Sequence, residues 1–435
     1  KTTRINTLPY SRIYETGYLV NARRNLDEAL SLGAKEFTPI NYGTMVYMKA
    51  AMALNHLEEF LGQGEFDRIM KLYYKKWQFK HPQPEDLKSI FETETGKNLD
   101  WVFDELLKNT KKVDYKISSF KKTADGVSVS LKNKGQIASP VPIVALAGQD
   151  TVINNFEEGF SDRETIELGN NNIDQVFIDP HYNTLDLYRN DNRLNLNKTF
   201  SKSTPLEFVP IGGLSVDGHR RLYFMPTIGA NTRDKFMLGA AFYNNVLPEQ
   251  KFNYIIMPMY SFGLNTVSGS AQINYAIYPS TAFQKITFGA SAKRYAGFQK
   301  LEPKLTFNLN PKSLRTSPTQ RLQLKFSALE VDTDLLPVYE EEYQIISANY
   351  SISGGNAINR YAFNSELQLN PENFTLWQNS ARFRHQYKRG KFASINVFYG
   401  QFLNSDQVHP SFLLGMSGST DYLMERAFLD RAQIS

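Results

Sequence analysis

Residues 41–61 read Asn-Tyr-Gly-Thr-Met-Val-Tyr-Met-Lys-Ala-Ala-Met-Ala-Leu-Asn-His-Leu-Glu-Glu-Phe-Leu, and they decide how the first part of the chain folds. Apolar residues recur here every three or four positions, which predicts one amphipathic helix. Its apolar face consists of Val46, Ala50, Ala53, Leu54, Leu57 and Leu61. Gly62 follows where a left-handed cap is expected. Tyr47 lies in the first turn, at the exposed end of the helix. The sequence pattern alone indicates that its side chain has a packing role rather than a functional one.

Three further helices are predicted downstream of this stretch. Residues 65–77 carry an apolar stripe at helical spacing, and residues 99–107 repeat it. Between them, Pro84 suits the first turn of a helix that Gly96 ends. Short links between the helices indicate antiparallel neighbours in a helical subdomain. Upstream, residues 12–20 resemble a strand.

The spacing of apolar residues changes from helical to alternating near Asp114. Alternation on both sides of Asp125 and Gly126 predicts a hairpin, because Asp-Gly is a common hairpin turn. A small β-sandwich extending to about residue 190 is the natural interpretation. The acidic residues at 157–158 and 162–167 are expected in a solvated loop.

From about residue 200 onward, about twelve strands alternate apolar with polar or small residues. Residues 271–277 and 322–328 are examples. A soluble sandwich or lipocalin-like barrel would turn the apolar side inward, whereas an outer-membrane barrel turns it toward lipid. Long strands, Lys and Arg on the polar side and aromatic residues near strand ends favour the membrane. The link at 329–342 suits an extracellular loop, and no closing strand is recognised.

Composition narrows the possible functions of the 435 residues. A net charge of +5 is too small to indicate a basic surface that binds nucleic acid. With no cysteine, disulfides and zinc–thiolate sites are excluded. No apolar run reaches the roughly 18 residues that a transmembrane helix needs. Since the sequence starts at Lys1 without a methionine, we expect a piece of a longer protein.

Histidines provide no complete catalytic site in this sequence. The six are scattered, without a His-Glu-x-x-His motif or a pair at metal-ligand spacing. They are His56, His81, His181, His219, His385 and His409. We expect His56 to be a solvated helix histidine.

Residues 42–107 resemble the end of the catalytic domain of the aminopeptidase N family, which are zinc gluzincin peptidases. The quartet from Tyr47 to Ala50 resembles the family's Tyr-x-Lys-Gly signature, with Ala50 where the family usually has glycine. Residues 57–62 resemble the Leu-Gly end of the same helix. Residues 74–82 resemble its Tyr…Trp-x-Phe-Lys-His-Pro run, and residues 86–103 its Asp-Leu…Phe-Glu…Gly…Leu…Phe pattern.

The resemblance implies a catalytic role for Tyr47. In this family the tyrosine of the signature donates its hydroxyl to the oxyanion of the tetrahedral intermediate. The family's cofactor is Zn, and its ligands, His-Glu-x-x-His and a later Glu, lie upstream of the signature. They are therefore expected upstream of Lys1, and the 435 residues alone are expected to be inactive.

The sequence thus predicts an α+β multidomain chain. Residues 1–113 are the helical C-terminal part of a gluzincin catalytic domain, 114–195 a β-sandwich, and 196–435 an antiparallel outer-membrane type β-barrel that is incomplete. The last part, with residues 415–423 as a late strand, resembles C-terminal barrels of bacterial surface proteins. The order of domains resembles large proteins of Bacteroidetes-type bacteria.

Two functional hypotheses follow. The first is a zinc aminopeptidase anchored in the outer membrane of a Gram-negative bacterium, with peptide substrates, contacts to outer-membrane lipid and no nucleic-acid partner. The second is an outer-membrane β-barrel for transport or surface assembly that carries a non-catalytic peptidase-like binding module.

Overall fold

The computed structural model describes residues 10–124, 126–169, 172–197, 206–214, 218–244, 246–279, 281–334, 340–404, 412–415, 418–419 and 421–425. The chain divides into two compact units. The first contains the described residues of Lys1–Glu207 and Leu214–Arg221, and the second those of Phe208–Gly213 and Leu222–Ser435. An α-then-β, multidomain layout is confirmed, while the three-part division at 113 and 195 stays a prediction.

Helices make up the beginning of the first unit. The α-helices are α1 (Tyr10–Ala22), α2 (Pro39–Gly43), α3 (Ala50–Leu61), α4 (Gln63–Trp77) and α5 (Pro84–Thr95). Two segments are π-helical, Thr44–Lys49 and Trp101–Leu107. None of the described helices is both long and apolar enough to cross a membrane.

The helix ends follow local residue chemistry. Pro84 occupies the first turn of α5, and Gly96 ends it with φ 64° and ψ 14°, which confirms the left-handed cap expected there. Gly62 also has a positive φ of 81°, but its ψ is 140°. The left-handed cap expected at Gly62 is therefore wrong, because α4 begins at the very next residue and the chain must turn more sharply.

The strand-like interpretation of residues 12–20 is wrong, since they lie in α1. Glu15, Tyr18, Leu19 and Ala22 are buried at helical spacing, so tertiary packing overrides the local resemblance to a strand. The helix approaches the π-helical segment closely at Gly17. A Cβ atom there would lie 2.0 Å from the sulfur of Met48, so a larger residue at this position would require the Met48 side chain to move.

Two antiparallel sheets complete the first unit. Their strands are β1 (Tyr115–Lys122), β2 (Val127–Asn133), β3 (Val141–Ala147), β4 (Asp150–Glu157), β5 (Arg163–Leu168), β6 (Gln175–Ile178) and β7 (Arg193–Asn195). The orders are β1-β2-β5 and β4-β3-β6-β7. Both sheets and the helices contribute buried side chains to one hydrophobic core.

Two sequence predictions fall in these sheets. Strands β1 and β2 pair antiparallel through Lys122 and Val127, as the predicted hairpin requires, although Asp125 itself lies outside the described residues. The acidic residues 162–167 were expected in a loop, and most of them instead form β5. Ile166 and Leu168 point into the core from this strand, while the side chains of Glu164 and Glu167 remain exposed.

The second unit is dominated by a twelve-stranded antiparallel sheet, which confirms the number of strands counted in the sequence. Its strands are β8 (Leu206–Pro210), β9 (Arg220–Asn231), β10 (Lys235–Tyr243), β11 (Phe252–Ser261), β12 (Thr266–Ile277), β13 (Phe283–Tyr295), β14 (Phe298–Leu309), β15 (Thr319–Val331), β16 (Glu342–Gly355), β17 (Asn359–Asn370), β18 (Phe374–Lys388) and β19 (Lys391–Asn404). Each strand pairs with its neighbour in the sequence. Within the described residues, β8 and β19 do not pair with each other, so the sheet is not closed.

The two faces of this sheet are chemically opposite. One face exposes large apolar side chains across many strands, among them Ile228, Tyr275, Leu324 and Ile395. The other face buries polar and charged side chains, among them Lys300, Glu302, Ser347 and Gln368. A soluble sandwich would place these two sets of side chains the other way round. Exposed apolar surface of this extent is typical of a site of interaction rather than of free solvent exposure.

A segment near the end of the chain packs on the polar face. Phe412, Tyr422 and Met424 are buried against a cluster that includes Phe374 and Tyr343. The Lys300 ammonium donates a hydrogen bond of 2.8 Å to the carbonyl of Leu423. Leu414–Gly415 and Gly418–Ser419 form a short two-stranded ladder beside it. Of the predicted late strand at 415–423, Gly415, Gly418 and Ser419 lie in this ladder, and positions 416, 417 and 420 lie outside the described residues. Residues 421–423 form a turn, so that part of the prediction is wrong.

Candidate functional site

Tyr47 lies on a widened helical turn between two α-helices. Helix α2 starts with Pro39 in its first turn, and the Thr38 hydroxyl accepts a hydrogen bond of 3.3 Å from the backbone N–H of Asn41. The π-helical segment Thr44–Lys49 follows and leads into α3. Such π-helical insertions are frequent at functional sites. The sequence pattern placed Tyr47 correctly near a helix start but did not reveal the π-helical turn.

The Tyr47 side chain is open to solvent, with 59% of its surface exposed. Its ring meets the ring of Tyr42 edge-on at 6.1 Å, and Tyr42 meets Phe37 in the same way at 6.1 Å. Within the described part of the chain, the Tyr47 hydroxyl makes no hydrogen bond. It is therefore available to donate a hydrogen bond to an external acceptor.

Buried hydrogen bonds connect the turn that carries Tyr47 to the residues packed behind it. The Asn21 amide donates to the Asn41 side-chain oxygen at 2.8 Å and to the Thr44 hydroxyl at 3.1 Å. The side-chain amide of Asn41 in turn donates to the carbonyl of Leu26 at 2.7 Å. Because these groups are withdrawn from water, loss of one partner costs about 1–3 kcal/mol. The turn that carries Tyr47 is thus fixed relative to α1.

Lys49, two residues after Tyr47, is fully buried. Its ammonium donates a hydrogen bond of 2.8 Å to the carbonyl of Asn109, which follows the second π-helical segment. Burial lowers the pKa of Lys49 to about 8, although the Asp27 carboxylate opposes that effect. Asp27 also forms an ion pair of 2.6 Å with Lys112. Lys49 therefore joins the Tyr47 turn to the end of the helical region, a positioning role that its place in the sequence motif does not reveal.

His56 is not solvated, so the sequence interpretation was wrong. It is fully buried, its ring centroid lies 4.6 Å from that of Trp101, and its Nε2 lies 3.1 Å from the carbonyl oxygen of Pro140. Burial lowers the pKa of His56 to about 4, so the ring is neutral at pH 7. Helix α3 turns this side of its surface toward the core, which makes His56 a packing residue.

The described residues do not supply a zinc site. Nowhere in them do three His, Cys, Asp or Glu side chains come together in an arrangement that could hold a metal ion. Structural and catalytic zinc sites need at least three such protein ligands.

Charged residues missed by the sequence analysis cluster in the core of the first unit. The Arg189 guanidinium lies between the carboxylates of Glu15 and Asp179. Nearby, burial raises the pKa of Asp114 to about 7 and of Asp186 to about 6. No local motif signals this cluster, because Glu15 and Arg189 are 174 positions apart. Its side chains are buried between α1 and the segment that follows β6, so the cluster is not an open site.

Residues 27–106 match the model of the Peptidase family M1 domain. The matched range contains Tyr47, Lys49 and the helical region around them. This part of the chain is therefore related to a peptidase domain. No curated protein matches the chain significantly.

Among solved structures, the chain has a remote likeness to one titled "Structure of the P pilus usher (PapC) translocation pore". The identity is 7%, the alignment covers 67% of this chain and 74% of that chain, and the TM-score is 0.17. A likeness this weak supports no conclusion about fold or function.

Proposed function

We propose that this chain belongs to a zinc-dependent, aminopeptidase-like protein that hydrolyses peptides and is anchored in the outer membrane of a Gram-negative bacterium of the Bacteroidetes type. The observation that carries the peptidase part is the relationship of residues 27–106 to the Peptidase family M1 domain, with Tyr47 presented at an exposed, internally braced turn. Zinc would supply Lewis-acid chemistry in the intact protein, and its ligands are expected upstream of residue 1.

Tyr47 would act by donating its hydroxyl to the oxyanion that forms on the scissile carbonyl. The hydroxyl is exposed, while Lys49 and Asn41 fix the turn behind it. A donor held in place beforehand stabilises developing charge without reorganisation at the moment of reaction. Removing one such donor typically costs about 10²–10³ in kcat.

The Tyr47→Phe substitution in the intact, zinc-loaded protein tests this role. We expect kcat on aminoacyl fluorogenic peptides to fall by about 10²–10³, with little change in KM, because the lost interaction forms only in the transition state. Tyr42→Phe is a matched control, since it removes the same oxygen from a neighbouring ring that is also exposed. Equal activity of the two variants would exclude Tyr47 from the mechanism.

Membrane anchoring is proposed for the twelve-stranded sheet. Its exposed apolar face would contact lipid, and its polar face would line an interior. We expect the protein to resist extraction by carbonate, to dissolve in detergent and to migrate differently on gels before and after heating. Full solubility without detergent would contradict the membrane proposal.

The same preparation separates the two functional hypotheses. A membrane-inserted protein that binds no zinc and cleaves no peptide would support the second one, a barrel for transport or surface assembly with a non-catalytic binding module. Metal analysis of the intact protein and a peptidase assay on that sample distinguish the two.

A further inference from the structure

A groove of about 770 Å³ lies on the second unit and extends across strands β11 to β17. This size falls within the range of about 300–1,000 Å³ that small-molecule sites occupy. We propose that the groove binds one phospholipid whose headgroup carries both a phosphate and a primary ammonium group. The proposal rests on the proposed membrane function, since it requires the apolar face of the sheet to meet a bilayer.

The floor of the groove is made by small residues on two adjacent strands. Ala271 of β12 pairs directly with Ala292 of β13. In the same row, Ile256 of β11 flanks Ala271 and Leu301 of β14 flanks Ala292. Ile256 is 44% exposed and Leu301 is 54% exposed, so both stand out from the surface. Since neighbouring strands lie about 4.8 Å apart, the two alanines leave an apolar channel two strands wide that suits an acyl chain.

Gly269 extends this floor by one row along β12. Its φ is 138°, and a Cβ atom at this position would lie 2.1 Å from the carbonyl oxygen of Met257. The positive φ and the close carbonyl oxygen both exclude a side chain at this position. The channel is therefore not blocked by a side chain from β12 here. Gly269 pairs with Arg294, which places the channel directly beside a cationic side chain.

A row of polar side chains bounds the groove at this end. Arg294 pairs with Gln299, Gln299 with Glu330, and Glu330 with Glu342, so four neighbouring strands each contribute one polar residue at the same level. All four side chains are exposed. Among the described residues, none forms an ion pair with Arg294 or Glu330. The next row inward contains Ala292, Leu301 and Ala328 on β13 to β15 and Gln344 on β16. The surface therefore changes from polar to apolar within one row on the first three of these strands.

The charges in the polar row select the headgroup. The Arg294 guanidinium matches a phosphate, to which it can donate two parallel hydrogen bonds. Arg294 and Glu330 lie two strands apart, about 10 Å between backbones, which leaves room for a headgroup between them. The carboxylates of Glu330 and Glu342 then accept hydrogen bonds from a primary ammonium. An aminophospholipid such as phosphatidylethanolamine satisfies both signs of charge.

Two other common lipids fit less well. Phosphatidylcholine has a quaternary ammonium without an N–H group, so it cannot donate hydrogen bonds to the carboxylates. Phosphatidylglycerol has no cation, so its phosphate would meet one arginine and at least two glutamates. We therefore expect binding to follow the order ethanolamine, then choline, then glycerol.

Native mass spectrometry of the full chain in detergent tests this order. The probes are dioleoyl phosphatidylethanolamine, phosphatidylcholine and phosphatidylglycerol, added as an equimolar mixture. We expect the ethanolamine lipid to be retained about tenfold more than the choline lipid, the effect of roughly one charge-assisted hydrogen bond. The double variant Glu330→Gln, Glu342→Gln should abolish this preference, and Arg294→Gln should lower retention of every lipid.

Filling the channel provides an independent test with a matched control. Ala292→Leu should lower retention of all three lipids several-fold, because the added side chain occupies the floor. Ala348→Leu, on the same face three strands away, should leave retention unchanged. Equal retention of the three lipids by the unsubstituted chain, or equal effects of the two leucine variants, would overturn the proposal.

Flotation with vesicles of phosphatidylcholine alone tests the membrane proposal separately. A chain that floats with these vesicles but shows no preference for the ethanolamine lipid retains the membrane function and loses the lipid site. A chain that does not float overturns both. Heat-modifiable gel mobility of each variant confirms that it has folded before its lipid retention is compared.

Discussion

Replacing Arg189 by methionine removes the cation from the most buried charge cluster of the first unit. The Arg189 Nε atom lies 2.9 Å from a Glu15 carboxylate oxygen, and its Nη1 pairs with Asp179. A further Arg189 nitrogen donates to the carbonyl of Thr184 at 2.7 Å. The side chains of Arg189, Glu15 and Asp179 are only 2–3% exposed. Methionine keeps most of the volume, so the change isolates the charge.

The expected loss of stability depends on the partners that each carboxylate keeps after the substitution of Arg189. Glu15 keeps its ion pair with Arg12 at 2.8 Å. Asp179 keeps hydrogen bonds from Thr184 and from the Asn183 amide. Although burial opposes it, the Arg189 guanidinium helps to hold the pKa of Asp179 below its ordinary value. Breaking one buried pair costs about 3–5 kcal/mol, and since Glu15 remains paired we expect one such loss rather than two.

Hydrogen exchange of the full chain, followed by mass spectrometry, measures this loss in the first unit alone. We expect protection of α1 peptides to fall by about two to three and a half orders of magnitude, since each factor of ten corresponds to about 1.4 kcal/mol. The exposed pair of Arg68 with Glu65 and Glu94 is the control, because solvent screens its charges. Arg68→Met should leave protection nearly unchanged.

A rescue experiment separates charge from packing. Adding Glu15→Gln and Asp179→Asn to Arg189→Met removes the unpaired buried charges, so part of the lost protection should return. The reasoning is refuted if Arg189→Met and Arg68→Met change protection equally, or if the triple variant is less protected than the single one.

Two further predictions concern the first unit. Burial raises the pKa of Asp114 to about 7 and of Asp186 to about 6, from an ordinary value of 3.8. The folded protein therefore binds protons that the unfolded chain releases, and its stability should fall as pH rises from about 4 to about 7; Asp114→Asn should flatten this slope in urea unfolding. Phe91 is fully buried, so Phe91→Ala should cost about 3–5 kcal/mol in denaturant unfolding, whereas Phe79→Ala at a fully exposed position should leave the midpoint unchanged.

Helix α5 and the twelve strands illustrate what local sequence determines. Pro84 and Gly96 fix the two ends of α5 because one lacks an N–H group and the other adopts a left-handed conformation. Alternation of side chains gave the number of strands because successive residues of a strand point to opposite faces. In the same way, the four motif pieces around Tyr47 led to a family that the comparison of residues 27–106 supports.

Other features were decided only by tertiary structure. Residues 12–20 became a helix and His56 became buried because the rest of the core packs against them. Alternation cannot say which face of a sheet is exposed, and only the assembled strands show that the apolar face is turned outward.

The support of Tyr47 and the core charge cluster lie beyond local sequence for the same physical reason. Lys49 reaches Asn109, and Glu15 reaches Arg189, through contacts between residues far apart in the chain. Periodicity and motifs carry information only about residues that are close to one another in the sequence. The sequence by itself predicted most of the helices and strands and pointed to Tyr47, whereas the folded core determined which charges are buried and which long-range contacts hold the turn that carries Tyr47.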